Sequence, residues 1–115
     1  FKVRSPFKVW EVLVFNMLMT GQERPTALIV VNDYLASRIM KFIKKMGLRI
    51  PEDISIIGSD NSDVASVTTP ELTTIDFSKE DLARNVVQRL MELIRGNVGM
   101  EEIFLPTKLI IREST

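Results

Sequence analysis

The stretch that decides the fold is Arg24-Pro25-Thr26-Ala27-Leu28-Ile29-Val30-Val31-Asn32-Asp33. Its apolar run, residues 27–31, lies between a proline and a polar pair, which is typical of a buried strand that leads directly into a helix. In an open α/β sheet, ligands bind beyond the carboxyl ends of the strands. Asn32 follows the run, so the sequence predicts that it lies where binding or chemistry takes place.

The composition predicts one globular unit and narrows the classes of function. Of the 115 residues, 45% are hydrophobic and 26% are charged, enough for one core and a solvated surface. The formal net charge is zero, which argues against an independent nucleic-acid binder because phosphate contacts need a basic face. Cysteine and histidine are absent, so thiolate metal sites and imidazole catalysis are disfavoured. We therefore expect no catalytic residue, metal site or cofactor.

Nothing in the sequence predicts membrane insertion or export. No apolar run approaches the ~20 residues that cross a bilayer, and the first residues lack a signal-peptide pattern. We therefore expect a cytosolic protein with no membrane partner. The start at Phe1-Lys2-Val3 has the character of an internal segment, so we also expect the natural N-terminus to lie upstream.

The residues after Asn32 predict a β-α-β unit. Asp33 is predicted to cap a helix by accepting its free backbone N–H groups, and the helix is expected to end at Gly47 in the left-handed conformation. The predicted buried face of that helix consists of Leu35, Ile39, Phe42, Ile43 and Met46. Because residues 54–58 have the pattern of the next strand, the crossover predicts two parallel, neighbouring strands.

Two further helices are predicted outside this unit. The first is expected to begin at Ser5-Pro6 and end near Gly21, and its apolar residues around nearly the whole circumference predict burial on more than one side. The other begins with Ser78 as its N-cap, and its apolar rows predict a wide buried stripe before Gly96. Such faces exceed what a small monomer covers, so we expect a dimer or a domain-swapped pair.

Polar residues collect at the carboxyl end of the second predicted strand. The cluster at 59–63 follows that strand and is the spatial neighbour of Asn32 if the two strands pair. A surface excursion at 64–70, a strand at 72–75 and a last strand at 105–112 complete the prediction. Two polar loops are therefore expected to line one edge of the sheet.

Five short motifs between Arg24 and Thr115 are informative as a set. They are Pro25-Thr26-Ala27 with Asn32-Asp33, Gly47-Leu48-Arg49-Ile50-Pro51-Glu52-Asp53-Ile54-Ser55, Gly58 with Asp60, Pro70-Glu71-Leu72-Thr73-Thr74-Ile75, and Leu105-Pro106-Thr107 with Arg112. Any one of them is a weak signal. Their order and spacing together closely resemble the C-terminal part of LacI/GalR-family transcriptional repressors.

The resemblance implies an α/β fold, a three-layer sandwich with a mostly parallel sheet that forms the C-terminal portion of a periplasmic-binding-protein-like type I fold. It implies that residues 1–77 form the C-terminal subdomain, 78–104 a crossing helix with its linker, and 105–115 the last strand. The family reads its operator through an N-terminal helix-turn-helix domain, usually as a dimer. That domain and the opening units of the first subdomain lie outside this sequence, so the crossing helix is expected to be an orphan.

The same resemblance assigns a candidate effector-binding site to Asp60, Asn32 and Phe77. The family counterpart of Asp60 commonly hydrogen-bonds the effector, and a carboxylate accepts from two hydroxyl or ring N–H groups at once. Asn32 matches a cleft position where an amide can both donate and accept. Phe77 matches a crossover position where an aromatic face could cover a sugar ring. The implied effector is a sugar or a similar polar metabolite.

Each candidate also has a purely structural alternative. Asp60 could cap the following turn, and Asn32 could tie the strand end to the neighbouring loop. Phe77 could instead pack onto Leu82 as a hydrophobic staple. Asp33 is expected to be only a helix cap, and we leave it out of the site.

Two positions depart from the family's pattern. Ser59 stands where many members carry an aromatic residue, which removes a stacking or packing group and leaves the nature of the effector open. Glu113 replaces a frequent glycine after Arg112, and we expect this to concern only the chain end.

Two classes of function compete. The first is a non-enzymatic regulator, in which a small effector shifts the populations of two subdomain arrangements of a homodimer and operator DNA is contacted only through a separate domain. A periplasmic solute receptor is an alternative within the binding proteins, disfavoured by the ending at 105–107. The second class is a small α/β enzyme or phosphoacceptor with Asp33 or Asp60 as nucleophile. The sequence lacks the Gly-rich phosphate loop and the serine elbow that such chemistry uses, so we expect no enzymatic activity.

Overall fold

The computed structural model describes residues 9–20, 24–97, 99 and 102–115. Within these residues the chain forms four helices and four strands. In chain order they are α1 (Val9–Met19), β1 (Ala27–Ile29), α2 (Asp33–Lys45), β2 (Ser55–Ser59), α3 (Asp63–Val67), β3 (Thr73–Phe77), α4 (Lys79–Ile94) and β4 (Thr107–Ile110). The strands form one sheet in the order β1-β2-β3-β4.

The first three strands of the sheet are parallel, and the fourth is antiparallel. Ile57 of β2 lies opposite Ile29 of β1 and Thr73 of β3, and β4 pairs with β3 through Thr74 and Ile110. The α/β class, the mostly parallel sheet and the β-α-β unit are confirmed. β1 and β4 are shorter than predicted, and β3 extends further, to Phe77.

The core lies between α2 and one face of the sheet. Ile54 and Ile56 point to that face and are fully or almost fully buried, whereas Ser55, Ile57 and Ser59 alternate to the other face and are half-buried. From α2, the buried side chains are Asp33, Ala36, Ile39, Met40 and Ile43. Leu35, Phe42 and Met46, also predicted for the buried face, are only partly buried against this core.

The predicted C-terminal end of α2 is confirmed, but its predicted N-cap is wrong. At the C-terminal end, Gly47 has a φ of +80° and its N–H donates to the Lys44 carbonyl, as the sequence predicts. At the N-terminal end, the predicted cap at Asp33 is wrong. Asn32 is the cap, because it retains extended backbone (φ −156°, ψ 163°) and its Oδ1 accepts from the Leu35 N–H at 2.8 Å. Asp33 is already the first helical residue.

Helix α4 buries none of its residues, so the predicted buried stripe is wrong. Its start is as predicted, since the Ser78 side chain accepts from the Asp81 N–H at 3.1 Å. The apolar residues that were expected to be buried remain accessible, and the largest exposed fractions are those of Ile94, Val87, Val86 and Leu90. The radius of gyration is 18.7 Å, against about 13 Å for a compact chain of this length.

Helix α1 is buried along one side only. Val14 and Leu18 join the core, whereas Val12, Leu13 and Phe15 are exposed. The expectation of burial on more than one side is therefore wrong for the described side chains of α1. The predicted helix boundaries at Ser5-Pro6 and Gly21 lie outside the described residues.

The last residues of the chain are joined to the sheet by hydrogen bonds. Ser114 is fully buried, and its hydroxyl donates to the Ile56 carbonyl at 2.6 Å and accepts from the Thr73 N–H at 2.8 Å. The Glu113 carboxylate accepts from the Glu71 N–H at 3.0 Å. Glu113 therefore helps to hold this segment on the loop before β3, which corrects the expectation that it concerns only the chain end.

Candidate functional site

The three candidate effector-binding residues lie at one edge of the sheet. Asn32 follows β1, Asp60 follows β2, and Phe77 ends β3. Since these strands are parallel neighbours, their carboxyl ends meet at the same edge. All three residues are partly exposed. The predicted arrangement of two polar loops along one edge is therefore present in the fold.

The loop from Asp60 to Ser62 uses all of its backbone N–H groups within the protein. Asp60 N donates to the Ile75 carbonyl at 2.9 Å, Asn61 N to Thr74 Oγ1 at 3.3 Å, and Ser62 N to an Asp33 carboxyl oxygen at 2.7 Å. Anion sites on loops are built from free backbone N–H groups. This loop therefore offers no such group to a phosphate or a carboxylate.

Asp33 joins the loop after β2 to the start of α2. Its side chain is fully buried, and it accepts from the Thr74 hydroxyl at 2.6 Å, from the Ser62 hydroxyl at 3.1 Å and from the Ser62 N–H. Gly58 provides the necessary room, since a Cβ at that position would lie 2.2 Å from Asp33 Oδ1. Asp33, and not Asn32, therefore makes the link between the loops, and Asn32, and not Asp33, caps the helix.

The Asp60 carboxylate is partly exposed. Within the described part of the chain it accepts no hydrogen bond and forms no ion pair. The structural alternative, a cap on the following turn, is thus not made by these residues. Asp60 has a φ of +104° and Asn61 a φ of +43°, so the carboxylate is carried by a left-handed turn.

Asn32 and Phe77 offer different groups at the same edge. The Asn32 oxygen is used by the cap on α2, while its amide nitrogen has no partner among the described residues. Asn32 can therefore donate to a ligand but has only its second lone pair left for accepting. Phe77 lies opposite Thr107 of β4 in the antiparallel register. Its predicted packing on Leu82 stays a prediction.

Arg112 also lies beside the loop after β2, which was not predicted from the sequence. Its guanidinium donates to the Leu72 carbonyl at 2.8 Å and to Asn61 Oδ1 at 2.9 Å, and it lies 3.7 Å from the Glu71 carboxylate. The side chain is only 18% exposed. A signal was present, because Arg112 is one of the motif residues, but its partner Asn61 lies 51 positions away in the sequence.

Among the described residues, two apolar grooves are lined by side chains other than the three candidates. One, of about 410 Å³, runs along α4 and includes Leu90, Ile103 and Leu105, and the other, of about 420 Å³, lies between α1 and α2 beside Phe15 and Phe42. The described residues hold no cluster of acidic, cysteine or histidine side chains that could bind a metal ion. None of the helices among them combines the length and apolarity needed to cross a bilayer.

Comparison with known proteins agrees with this fold. Residues 4–115 match the model of the periplasmic binding protein-like domain. The chain is 42% identical over 104 residues to the NTD biosynthesis operon regulator NtdR of Bacillus subtilis, covering 89% of this chain and 32% of that protein. It is 36% identical to the HTH-type transcriptional repressor PurR of Vibrio vulnificus, with 90% and 31% covered. The chain spans about a third of the length of these relatives.

Solved structures give the same result. The Lac repressor dimer bound to operator and the anti-inducer ONPF matches with a TM-score of 0.78 and 36% identity, over 90% of this chain and 36% of that one. A LacI-type transcription regulator from Bifidobacterium animalis matches with a TM-score of 0.75 and 33% identity, over 90% and 38%. The chain belongs to the periplasmic-binding-protein-like domain family, in the form found in LacI-type transcriptional regulators.

Proposed function

We propose that this chain is the effector-binding and dimerisation part of a LacI/GalR-type transcriptional repressor that works in the cytoplasm. A small polar, sugar-like effector binds at the sheet edge through Asp60, Asn32 and Phe77. Operator DNA is contacted through a separate DNA-binding domain, since a net charge of zero does not favour phosphate binding by this chain. No chemical turnover takes place.

The observation that supports the binding site most is the Asp60 carboxylate, which has no partner among the described residues and lies in a loop, 60–62, whose backbone N–H groups are all used. The edge thus offers a strong acceptor at Asp60 and a donor at Asn32. Such a site favours ligands that bring hydroxyl or amine donors, and it repels anions. Sugars, amino sugars and nucleosides have this chemistry.

In this proposal, the other side of the ligand cleft is formed by a second subdomain. In this proposal residues 1–77 form one subdomain, 78–104 cross to the other, and 105–115 return. The unburied face of α4 is then the surface that packs against the other subdomain. An effector held between two subdomains shifts their relative arrangement only if it binds one arrangement more tightly than the other.

The binding proposal is tested by titrating the intact protein with cellobiose, galactose, glucosamine, adenosine and glucose 6-phosphate. We expect at least one uncharged or cationic member to bind and the phosphate ester not to bind. Asp60→Asn removes the charge of the acceptor, so we expect it to weaken that binding by about 2 kcal/mol. Isothermal titration calorimetry measures both effects.

The matched control is Glu52→Gln. Glu52 is an exposed carboxylate in the loop before β2, at the opposite edge of the sheet, and its change to an amide should leave the affinity unaltered. Binding of glucose 6-phosphate alone, no binding by any member at millimolar concentration, or equal effects of both variants would each contradict the proposal.

A phosphoacceptor or enzyme function has less support. Both oxygens of Asp33 accept hydrogen bonds in a fully buried position, so this carboxyl group is not free to act as a nucleophile. Asp60 is accessible, but the loop around it has no free backbone N–H to hold a phosphoryl group. The named relatives are transcriptional regulators.

A further inference from the structure

The turn that carries Asp60 is held in a backbone conformation that its residues do not favour. Asp60 and Asn61 are consecutive non-glycine residues with φ values of +104° and +43°. Asparagine and aspartate tolerate the left-handed region better than most residues, but +104° lies outside its usual range. Such a conformation persists only where the surrounding structure fixes it.

The inner side of this turn is fixed by the backbone bonds described above. Thr74 is central, because its hydroxyl accepts from the Asn61 N–H and donates to the buried Asp33 carboxyl group. These bonds hold the main chain of the turn on β3 and α2. They do not hold the Asn61 side chain, which points away from them to Arg112.

Arg112 fixes the outer side of the turn. One guanidinium nitrogen donates to Asn61 Oδ1 at 2.9 Å, and another donates to the Leu72 carbonyl at 2.8 Å. The backbone N–H of Arg112 donates to Thr73 Oγ1 at 2.9 Å, so the residue itself is fixed on β3. The planar guanidinium donates to two acceptors at once and so holds Asn61 at a fixed position relative to β3. A lysine ammonium lacks this rigid, planar arrangement of donors.

We infer that Arg112 is a positioning residue for the ligand carboxylate: through Asn61 it holds the left-handed turn in which Asp60 faces the ligand. The inference rests on the proposed function, because it concerns the same Asp60. It assigns to the last segment of the chain, 51 positions after Asn61, a part in the geometry of the binding edge.

The first test is amide hydrogen exchange on the ligand-free intact protein, with Arg112→Lys and Asn61→Gly. Glycine adopts the left-handed backbone without strain, so Asn61→Gly removes the oxygen that accepts from Arg112 and leaves the turn conformation accessible. We expect either variant to accelerate exchange at Asp60, Asn61 and Ser62 by about tenfold, since one charge-assisted hydrogen bond is lost. The Ile56 amide, which donates to the Ser114 carbonyl, should be unaffected. Unchanged exchange in the turn, or equal acceleration at Ile56, would overturn the inference.

The second test is a double-mutant cycle on ligand affinity with the best-binding member of the panel of sugars and adenosine. Each single variant should bind the ligand about tenfold more weakly than the original protein. The double variant should have the same affinity as either single variant, because the two substitutions remove the same hydrogen bond. Arg89→Lys is the control, since Arg89 has a similar exposed fraction, 22%, but pairs with Glu92 on α4.

The two tests separate the two possible failures. If the panel does not bind, the proposed function fails, while the exchange measurement still decides whether Arg112 fixes the turn. If the panel binds and the two single effects add in the double variant, the proposed function stands and the positioning role of Arg112 is wrong.

Discussion

Two regions of this molecule have equally clear helix caps and apolar patterns, but one is buried and the other is exposed. The sheet unit, which consists of β1, β2, β3, α2 and α3, buries the core and pairs its buried polar groups, such as Asp33 with Thr74 and Ser62. Helix α4 has a good N-cap at Ser78 and a left-handed Gly96, but it buries no residue.

The difference shows what a cap and an amphipathic pattern determine. They determine where a helix begins and ends and which face is apolar. They do not determine whether a surface is available for that face. In the sheet unit, α2 meets β2, whereas in the described structure α4 meets no comparable surface. We expect the two regions to contribute as differently to the free energy of unfolding as they do to the buried core.

The largest expected effect comes from truncating one apolar side chain in each region. Ile43 is fully buried in α2, so Ile43→Ala should lower the free energy of unfolding by about 4 kcal/mol. In the 115-residue chain by itself, Leu90 of α4 is 55% exposed, so Leu90→Ala should lower the free energy of unfolding by less than about 0.5 kcal/mol. Urea unfolding followed by circular dichroism measures both. Equal losses would mean that α4 is buried in solution, for example by a second copy of the chain.

The second comparison uses the same substitution at two glycines. Gly58→Ala would bring its Cβ within 2.2 Å of Asp33 Oδ1 and 2.9 Å of Leu72. The Asp33 side chain is held by its hydrogen bonds and cannot move freely. We therefore expect Gly58→Ala to lower the free energy of unfolding by about 3 kcal/mol. Gly96 has a φ of +94° and open space around it. Gly96→Ala should therefore reduce only the helicity of α4.

The measurement for the two glycines combines the unfolding midpoint with the far-ultraviolet helix signal. Gly58→Ala should lower the midpoint, and Gly96→Ala should leave it unchanged while the helix signal decreases. A shift of the midpoint by Gly96→Ala would instead show that α4 unfolds together with the sheet unit.

The smallest expected effect is the pH dependence of an exposed pair at the loop before β2. A hydrogen bond from Arg49 lowers the pKa of Asp53 from 3.8 to about 2. Because the folded-state pKa is below the unfolded value, the stabilisation is fully present above the unfolded pKa near 3.8 and is lost as the pH falls through about 2. Solvent screening makes the contribution small.

Asp53→Asn tests this pair. The stability difference between the original protein and this variant should be constant above about pH 5 and should disappear near pH 2, as measured by urea unfolding across that range. A difference that persists at the acid end would show that Asp53 acts through packing rather than through its charge.

Much of the binding edge could be predicted from the sequence. The apolar run before Asn32, the second run before Asp60 and the helix between them predict parallel neighbouring strands, and parallel strands bring their carboxyl ends together. The contacts within that edge could not be predicted. Asp33 and Asn32 each have a side chain that can cap a helix, and in the structure Asn32 is the cap whereas Asp33 is buried beside Gly58.

The sequence by itself determined the elements, their order, the parallel pairing of the first strands and the edge at which polar side chains collect, because these depend on local periodicity, caps and chirality. Only the tertiary structure decided that Asp33 is buried, that Arg112 reaches Asn61 and that α4 is left uncovered. Each of these depends on a surface or a partner atom that lies far away in the sequence, and no local pattern encodes where that partner will be.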